Sequence, residues 1–220
     1  MKKVTRFVPA AIAASIFAAS LNAAPAVAEV SANVGYASEY YFRGILQKES
    51  SASAGVDYEE GGFYLGSWAA DVGDGLEVDV YTGYGMEFES GLSLGVGFTG
   101  YYYTGEFDDT YEEVNLSAGF GALSFEYSIG EWKGFGTPAD YTFAAVTYSA
   151  ENGFYGTYGT FGDEADGDYL ELGYGTEIGG FDAGVALILN SEELSDQMDA
   201  AGNPDKGQAI VFSLGKSFSF

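Results

Sequence analysis

The sequence contains no cysteine and no histidine among its 220 residues. Their absence excludes zinc sites built on thiolate or imidazole, iron–sulfur clusters, and nucleophiles that work through a Cys or a Ser–His pair. Without disulfides, the stability of the chain must come from the fold itself. We therefore expect a protein that is not an enzyme, with no catalytic residues, no cofactor and no metal site.

Basic residues are also scarce, with 8 Lys and Arg against 33 Asp and Glu and a formal net charge of −25. Such a chain has no basic stripe with which to bind nucleic acid phosphates. Strong acidity often accompanies disorder, but an aromatic content of 17% is far too high for a disordered chain. The composition indicates an ordered, acidic protein that does not bind nucleic acid.

The first residues have the composition of an export signal. A basic start precedes an apolar segment at 7–21, and Ala26-Val27-Ala28 provides a small-x-small cleavage site. This pattern predicts a secretory signal peptide over residues 1–28, cut between Ala28 and Glu29. Residues 29–220 then form the mature protein, which we expect to be a single domain.

The mature sequence lacks an apolar run of about 20 residues, the length that a membrane-spanning helix needs. It alternates instead between apolar and small or polar residues over segments of about ten residues, which is typical of transmembrane strands. The clearest segment is Leu76–Phe88. Weaker segments lie near 50–58, 63–72, 140–149 and 154–162. With the last segment, Gln208–Phe220, the pattern predicts twelve strands.

The predicted connectors alternate in length along the chain. The tight turns are Glu59–Gly62, Glu89–Gly91, Gly121-Ala122, Ala150–Gly153 and Gly179-Gly180, and the mostly longer connectors are Gly44–Glu49, Gly73–Gly75, Thr104–Thr110, Glu131–Ala139, Asp163–Gly167 and Ser191–Gly207. The fold class predicted is therefore all-β: a transmembrane antiparallel up-and-down β-barrel with short periplasmic turns and longer extracellular loops. A soluble barrel would place its apolar residues inside and needs no such asymmetry. Ser191–Gly207, as the longest loop, is the expected plug or lid.

The alternation also predicts which side chains face the lumen. In the first strand it assigns Tyr36, Tyr40 and Phe42 to the outer face. The inward, pore-lining candidates are Glu39, Arg43, Glu77, Asp79, Tyr81, Glu87, Glu113, Glu126 and Glu171. Carboxylates along a pore attract cations and repel anions, which predicts a weak cation preference. As almost the only cation inside the barrel, Arg43 is expected to bridge Glu39 or Asp79. Twelve strands enclose a passage narrower than the wide channels of barrels with sixteen or more.

Several segments resemble a known family. Gly35–Ile45, with Phe63–Trp68, Glu77–Tyr84 and Tyr101–Gly105, is similar to sequences of the TorF-type putative porin family. The C-terminal strand, with Phe218 and the final Phe220, resembles the sorting signal that barrel-assembly machinery takes up. The resemblance implies a porin in the outer membrane of a Gram-negative bacterium. Its partners would be outer-membrane lipid and lipopolysaccharide, and the assembly machinery during biogenesis.

Two functions remain open from the sequence. One is a porin for passive diffusion of ions or small solutes through a narrow, acidic lumen. The other is a non-conducting structural or surface-interaction barrel that displays acidic loops, which would bind divalent cations. The acidic segment Asp163–Asp168 lacks the ligand spacing of a calcium loop, so we interpret it as a solvated loop.

Overall fold

The computed structural model describes residues 28–220 and consists of one closed antiparallel barrel in which each strand pairs with its neighbours in the sequence. The strands are β1 (Glu29–Phe42), β2 (Ile45–Glu60), β3 (Phe63–Gly73), β4 (Gly75–Glu87), β5 (Leu92–Tyr103), β6 (Tyr111–Phe120), β7 (Leu123–Trp132), β8 (Ala139–Ser149), β9 (Phe154–Asp163), β10 (Asp168–Ile178), β11 (Phe181–Asn190) and β12 (Gly207–Ser219). β12 closes the barrel by pairing with β1, in a register that runs from Ser31–Ser219 to Ala37–Ser213. The prediction of a twelve-stranded up-and-down barrel is confirmed. The predicted signal peptide and its cleavage site at Ala28 lie at or outside the start of the described residues, so they stay a prediction.

The alternation of the strands separates two faces with different chemistry. Large apolar side chains point outward and are exposed, among them Val96, Leu116, Leu172 and Leu214 at 40–50% of their full accessibility. The alternate positions point inward and are small, polar or hydrogen-bonded. An exposed apolar wall around a polar interior is the arrangement that a lipid environment requires. Among the described residues, no helix has both the length and the apolar character needed to cross a membrane.

Tyrosines inside the barrel lie against glycines on the neighbouring strand. A side chain added at Gly130 would come within 2.4 Å of the Tyr141 ring, and one at Gly173 within 2.2 Å of the Tyr155 ring. The same register joins Tyr64 to Gly83, Tyr81 to Gly66 and Tyr169 to Gly159. Glycine therefore makes room for an aromatic ring to lie across the wall, an arrangement that supports glycine positions in sheets. It accounts for part of the high glycine content.

The two ends of the barrel differ as predicted, with one correction. One end carries five short connectors, and the other carries the longer loops 104–110, 133–138, 164–167 and 191–206. However, the predicted loop Gly44–Glu49 is wrong. Residues 45–49 belong to β2, and β1 and β2 are joined by the two-residue turn Arg43-Gly44, in which both residues have positive φ (48° and 83°). Positive φ at both central positions is the geometry of a tight type I′ hairpin.

The end of this first hairpin leaves the barrel wall. β1 pairs with β12 only as far as Ala37, and β2 pairs with β3 only from Ser53 onward. Between these points β1 and β2 pair only with each other, from Glu39–Glu49 to Phe42–Ile45. We call residues 38–52 the inward hairpin, because the side chains around its tip, among them Tyr40, Tyr41 and Arg43, lie inside the lumen. It is the feature that shapes the interior.

Candidate functional site: a hairpin across the lumen

The tip of the inward hairpin is fixed to the far wall by Arg43. Its guanidinium makes two parallel hydrogen bonds to Glu113 on β6, at 2.8 and 2.9 Å, and a third to Glu126 on β7 at 2.7 Å. Ser128 Oγ accepts a further bond from it at 3.1 Å, and the Phe143 ring lies under it, with its centroid 4.1 Å away. Arg43 and Glu113 are buried. A bidentate, charge-assisted pair of this kind is strong and directional, so it holds the hairpin tip in one position.

The expected partners of Arg43 were therefore wrong. Its ion pairs are with Glu113 and Glu126, whereas Glu39 and Asp79 form no ion pair with it in the described chain. The physical reason is the turn. Because Arg43 sits at the hairpin tip and not within a wall strand, its side chain reaches strands on the opposite side of the barrel.

One face of the inward hairpin packs on the wall formed by β3, β4 and β5. Tyr40 is 3% exposed and donates a hydrogen bond to Glu77 Oε1 at 2.5 Å, and it packs beside Trp68. Phe42 lies against the ring of Tyr101, at 5.3 Å between centroids. The outward placement predicted for Tyr40 and Phe42 is thus wrong, because the hairpin that carries them lies inside the barrel. Lys48 forms an ion pair with Asp71 and ties the hairpin to the end of β3.

The other face of the hairpin borders a small cavity. Glu39 and Tyr41 line it together with Tyr155 and Glu171 on the facing wall, and its volume of about 20 Å³ is enough for about one water molecule. Residues of β11 and β12, among them Gly184, Ile188 and Ser213, contribute to the lining. The lumen is therefore closely packed on the β3–β8 side of the hairpin and leaves a narrow gap on the β9–β12 side.

Phenol groups donate hydrogen bonds to several of the inward carboxylates. Glu113 accepts bonds from Tyr101 and Tyr141 at 2.7 and 2.9 Å, in addition to those from Arg43. Glu171 accepts a bond from Tyr155, and Asp57 accepts one from Tyr81. The sequence pattern pointed inward for Glu113, Glu171 and Tyr81, but it carried no signal for the pairing, since the partners lie on different strands.

The remaining candidates are spread along the barrel. Glu77, Asp79, Glu113 and Glu171 are buried, as is Tyr81. Glu126 has a side chain 17% exposed beside Arg43. Glu87 is exposed at the end with short turns and takes no part in the cluster at Arg43. The structure thus brings Arg43, Glu113 and Glu126 together and places Glu77 and Asp79 on the adjoining wall.

The longest loop contributes only one side chain to the interior. Leu194 is buried and packs in a cluster with Phe143, Ala145 and Tyr169, while Met198 is 65% exposed. Asn190, at the end of β11, donates bonds to the carbonyl oxygens of Leu194 and Gly44, at 3.0 and 2.8 Å. Ser191–Gly207 was expected to be the plug or lid. The inward hairpin occupies most of the interior instead, and the loop contacts the hairpin from outside.

Outside the membrane-spanning strands, the groups whose pKa is shifted include Asp199 and Lys133. At the tip of the longest loop, hydrogen bonds from Asn203 and Ala201 hold the pKa of Asp199 below its usual value. Lys133, after β7, pairs with Glu131 and with Glu112, and these two acids raise its pKa. Both groups are fully charged at neutral pH and stabilise their loops locally.

A closed barrel with an apolar outer wall and a polar, charged interior defines this protein as a transmembrane β-barrel. The chain belongs to the family described as a bacterial protein family of unknown function, Gcw_chp, whose model matches residues 22–201. The family name differs from the TorF name that the sequence resemblance suggested. The solved structures support a porin-like barrel, but the TorF name is not supported. Among curated proteins, no relative matches.

Solved structures share the fold at low sequence identity. A KdgM porin is 10% identical, with a TM-score of 0.53 over 87% of this chain and 99% of the porin. The same porin in complex with disordered oligogalacturonate is 11% identical, with a TM-score of 0.52 over 87% and 99%. A structure from work on the in-meso crystallization of membrane proteins is 12% identical, with a TM-score of 0.55 over 87% and 84%. At this identity the likeness concerns the fold alone.

Proposed function

We propose that this protein is an outer-membrane channel of low conductance. Small solutes would diffuse through a lumen that the inward hairpin divides, and cations would pass in preference to anions. One observation carries the proposal: a cavity of about 20 Å³ lies between the hairpin and the β9–β12 wall and is lined by the carboxylates of Glu39 and Glu171. Small residues such as Gly184 and Ser213 also border it. Acidic groups in a confined space raise the local concentration of cations.

The charge of the lumen also constrains the solute. Arg43 is engaged by two carboxylates, so it offers little attraction to an anion. An oligogalacturonate, whose sugar units carry carboxylates, would be repelled by such a wall. We therefore propose small cations and neutral solutes as the substrates and assign the protein no catalytic role.

The proposal includes the route to the membrane. The signal peptide at 1–28 would direct export, and the terminal strand with Phe218 and Phe220 would be recognised by barrel-assembly machinery. Once inserted, the apolar wall would contact lipid, and the acidic loops would meet lipopolysaccharide. Detection in outer-membrane fractions of a mature chain that begins at Glu29 would support this route.

Planar bilayer recording tests the channel. We expect discrete current steps of small amplitude and, under a potassium chloride gradient, a reversal potential whose sign indicates cation preference. Symmetric permeability to potassium and chloride would contradict the cation preference while leaving the channel in place. Absence of steps from protein that shows heat-modifiable gel mobility, and is thus folded, would overturn the channel itself.

A second function is favoured by a specific observation. The hairpin is fixed by a buried ion pair and by apolar packing of Ile45 against the cluster of Phe143 and Tyr169. A lumen closed in this way also suits a non-conducting barrel that acts through its surface. The same recordings decide between the two, because only the channel gives current steps.

A further inference from the structure

The strands on either side of the inward hairpin have edges that the barrel wall does not pair. β12 begins at Gly207, but it pairs with β1 only from Ser213 onward. Likewise, β3 runs on to Gly73, but it pairs with β2 only as far as Ala70. Phe212, within the unpaired stretch of β12, is 60% exposed, so this edge belongs to the apolar wall that faces lipid. Unpaired backbone groups are costly at the depth of the membrane, and an exposed strand edge is a template for another strand.

Two serine hydroxyls take the place of the backbone ladder where the hairpin turns inward. The N–H of Phe212 donates a hydrogen bond to Ser38 Oγ at 2.9 Å, and Ser51 Oγ donates one to the carbonyl oxygen of Asp71 at 2.7 Å. Side-chain hydroxyls that bind backbone groups in this way compete with the ladder and offer the chain an alternative to it. Each edge therefore keeps one contact with the base of the hairpin, and the ladder positions beyond that contact can accept a strand.

The base of the hairpin has the geometry of a hinge. The pairing of β1 with β2 steps from Ala37–Ser51 to Glu39–Glu49, and between these pairs Ser50 has a positive φ of 62°. This left-handed conformation is uncommon for a residue other than glycine, and it lies at the point where the hairpin leaves the wall. Hinges consist of a few residues that absorb a large change in backbone angles. A return of Ser50 to the extended region would straighten the hairpin.

The sequence of the hairpin also suits the gap between the two edges. If the register of β1 with β12 is continued at the same spacing, Tyr40 lies opposite Ile210, and Phe42 lies opposite Gln208. Both aromatic side chains then fall on the lipid-facing side, and Glu39 falls on the lumen side. Apolar residues toward lipid and polar residues toward the lumen are the pattern of a wall strand. The hairpin therefore fits two places, one inside the lumen and one in the wall.

We propose that the inward hairpin is a hinged gate, which turns about Ser38 and Ser50 from the lumen into the wall between β12 and β3. The ion pairs of Arg43 with Glu113 and Glu126 favour the inward position, whereas the unpaired backbone groups of the two edges favour the wall position. The inward position leaves a gap with room for about one water molecule, so movement into the wall widens the passage. The gating role rests on the proposed function, whereas the second position of the hairpin is a property of the folded barrel.

Disulfide trapping in the whole folded barrel tests the wall position, because the chain has no cysteine of its own. Residues that lie opposite each other in an antiparallel pair have Cα atoms about 4.5–5.5 Å apart, within the range of a disulfide. We expect Phe42→Cys/Gln208→Cys to crosslink on mild oxidation in lipid vesicles. Adding Arg43→Ala should speed the crosslinking by roughly tenfold or more, since it removes the ion pairs that favour the inward position.

Phe42→Cys/Tyr102→Cys is the matched control. Tyr102 follows Tyr101, the present neighbour of Phe42, but it faces outward and is 40% exposed. The wall of the barrel therefore separates this pair in the inward position, and the width of β2, β3 and β4 separates it in the wall position. We expect no crosslink from the control. Equal crosslinking of the two pairs in heat-modifiable, folded protein would overturn the inference.

The other outcomes separate the inference from the proposed function. In bilayers, we expect the Phe42–Gln208 crosslink to hold the channel at a higher conductance and its reduction to restore the lower value. A crosslink with unchanged conductance supports the wall position and overturns the gate, and a crosslinked barrel without current steps supports the wall position while the channel proposal fails. Absence of the crosslink from folded barrels, even with Arg43→Ala, overturns the wall position. Crosslinked dimers of Gln208→Cys alone would show that a second copy covers the edge, which also overturns it.

Discussion

Arg43 and Glu113 form a bidentate ion pair across the lumen, although 70 residues separate them in the sequence. Arg43 lies in the turn between β1 and β2, and neither of these strands pairs with β6, which carries Glu113. Only a hairpin that leaves the wall can bring the two side chains together. The ion pair is therefore both evidence for the inward hairpin and the contact that holds it.

Replacing Arg43 tests this role directly. The Arg43→Ala variant leaves Glu113 and Glu126 buried without their cation, so we expect the free energy of unfolding to fall by about 3–5 kcal/mol. We also expect single-channel conductance to rise, because the hairpin tip loses its anchor. Denaturant unfolding and bilayer recording measure the two effects.

The double variant Arg43→Ala/Glu113→Gln should recover part of the lost stability, since it removes one unpaired charge. Unchanged conductance in a folded Arg43→Ala barrel would show that the hairpin does not limit flow.

The barrel itself could be predicted from local pattern, but the interior could not. Alternation over Leu76–Phe88 anticipated β4 at Gly75–Glu87 within a residue at each end, since one wall face meets lipid and the other the lumen. The inward hairpin breaks this rule, because both of its faces lie inside. Its sequence does carry a signal. Gly44 permits a tight turn directly after Tyr40 to Phe42, but three aromatic residues in a row are no signal by themselves, since Tyr101 to Tyr103 lie in the wall strand β5. The sequence around Arg43 gave no indication that its partners lie on β6 and β7, because these strands are distant from it in the sequence.

The close approach of Gly44 to Tyr169 gives a second prediction. A Cβ at residue 44 would lie 2.7 Å from Tyr169 Cβ, so Gly44→Ala must push the hairpin tip away from β10. We expect a loss of about 1–3 kcal/mol in unfolding free energy from this overpacking and a change in conductance. Gly91→Ala is a matched control. Its φ of +82° is nearly the same as the +83° of Gly44, but nothing lies within 4 Å of the added atom. Equal losses in the two variants would attribute the effect to backbone strain alone and not to the contact.

Two neighbouring residues of β12 test the assignment of the faces. Leu214 is 46% exposed on the outer wall, and Ser213 lines the small cavity beside the inward hairpin. We expect Leu214→Arg to destabilise the membrane-inserted barrel by about 2–4 kcal/mol, because the charge enters lipid. Ser213→Arg should cost far less stability and should shift the reversal potential toward anions, since it adds positive charge beside Glu39 and Glu171. Unfolding from lipid vesicles measures the first effect and bilayer recording the second. A larger stability loss for Ser213→Arg than for Leu214→Arg would reverse the assignment.

Proteolytic cleavage of the longest loop tests whether the loop or the inward hairpin closes the lumen. Only Leu194 of this loop is buried, while Lys206 is exposed and offers a trypsin site. Because the hairpin and not the loop crosses the lumen, we expect trypsin cleavage after Lys206 to leave the conductance of the folded barrel unchanged.

Asp199 accepts hydrogen bonds from the backbone N–H groups of Ala201 and Asn203, at 2.8 and 2.9 Å, so Asp199→Ala should loosen the loop tip and speed this cleavage. Mass spectrometry of the digest follows the cut, and recordings before and after it follow the current. A clear rise in conductance on cleavage would instead make the loop the lid.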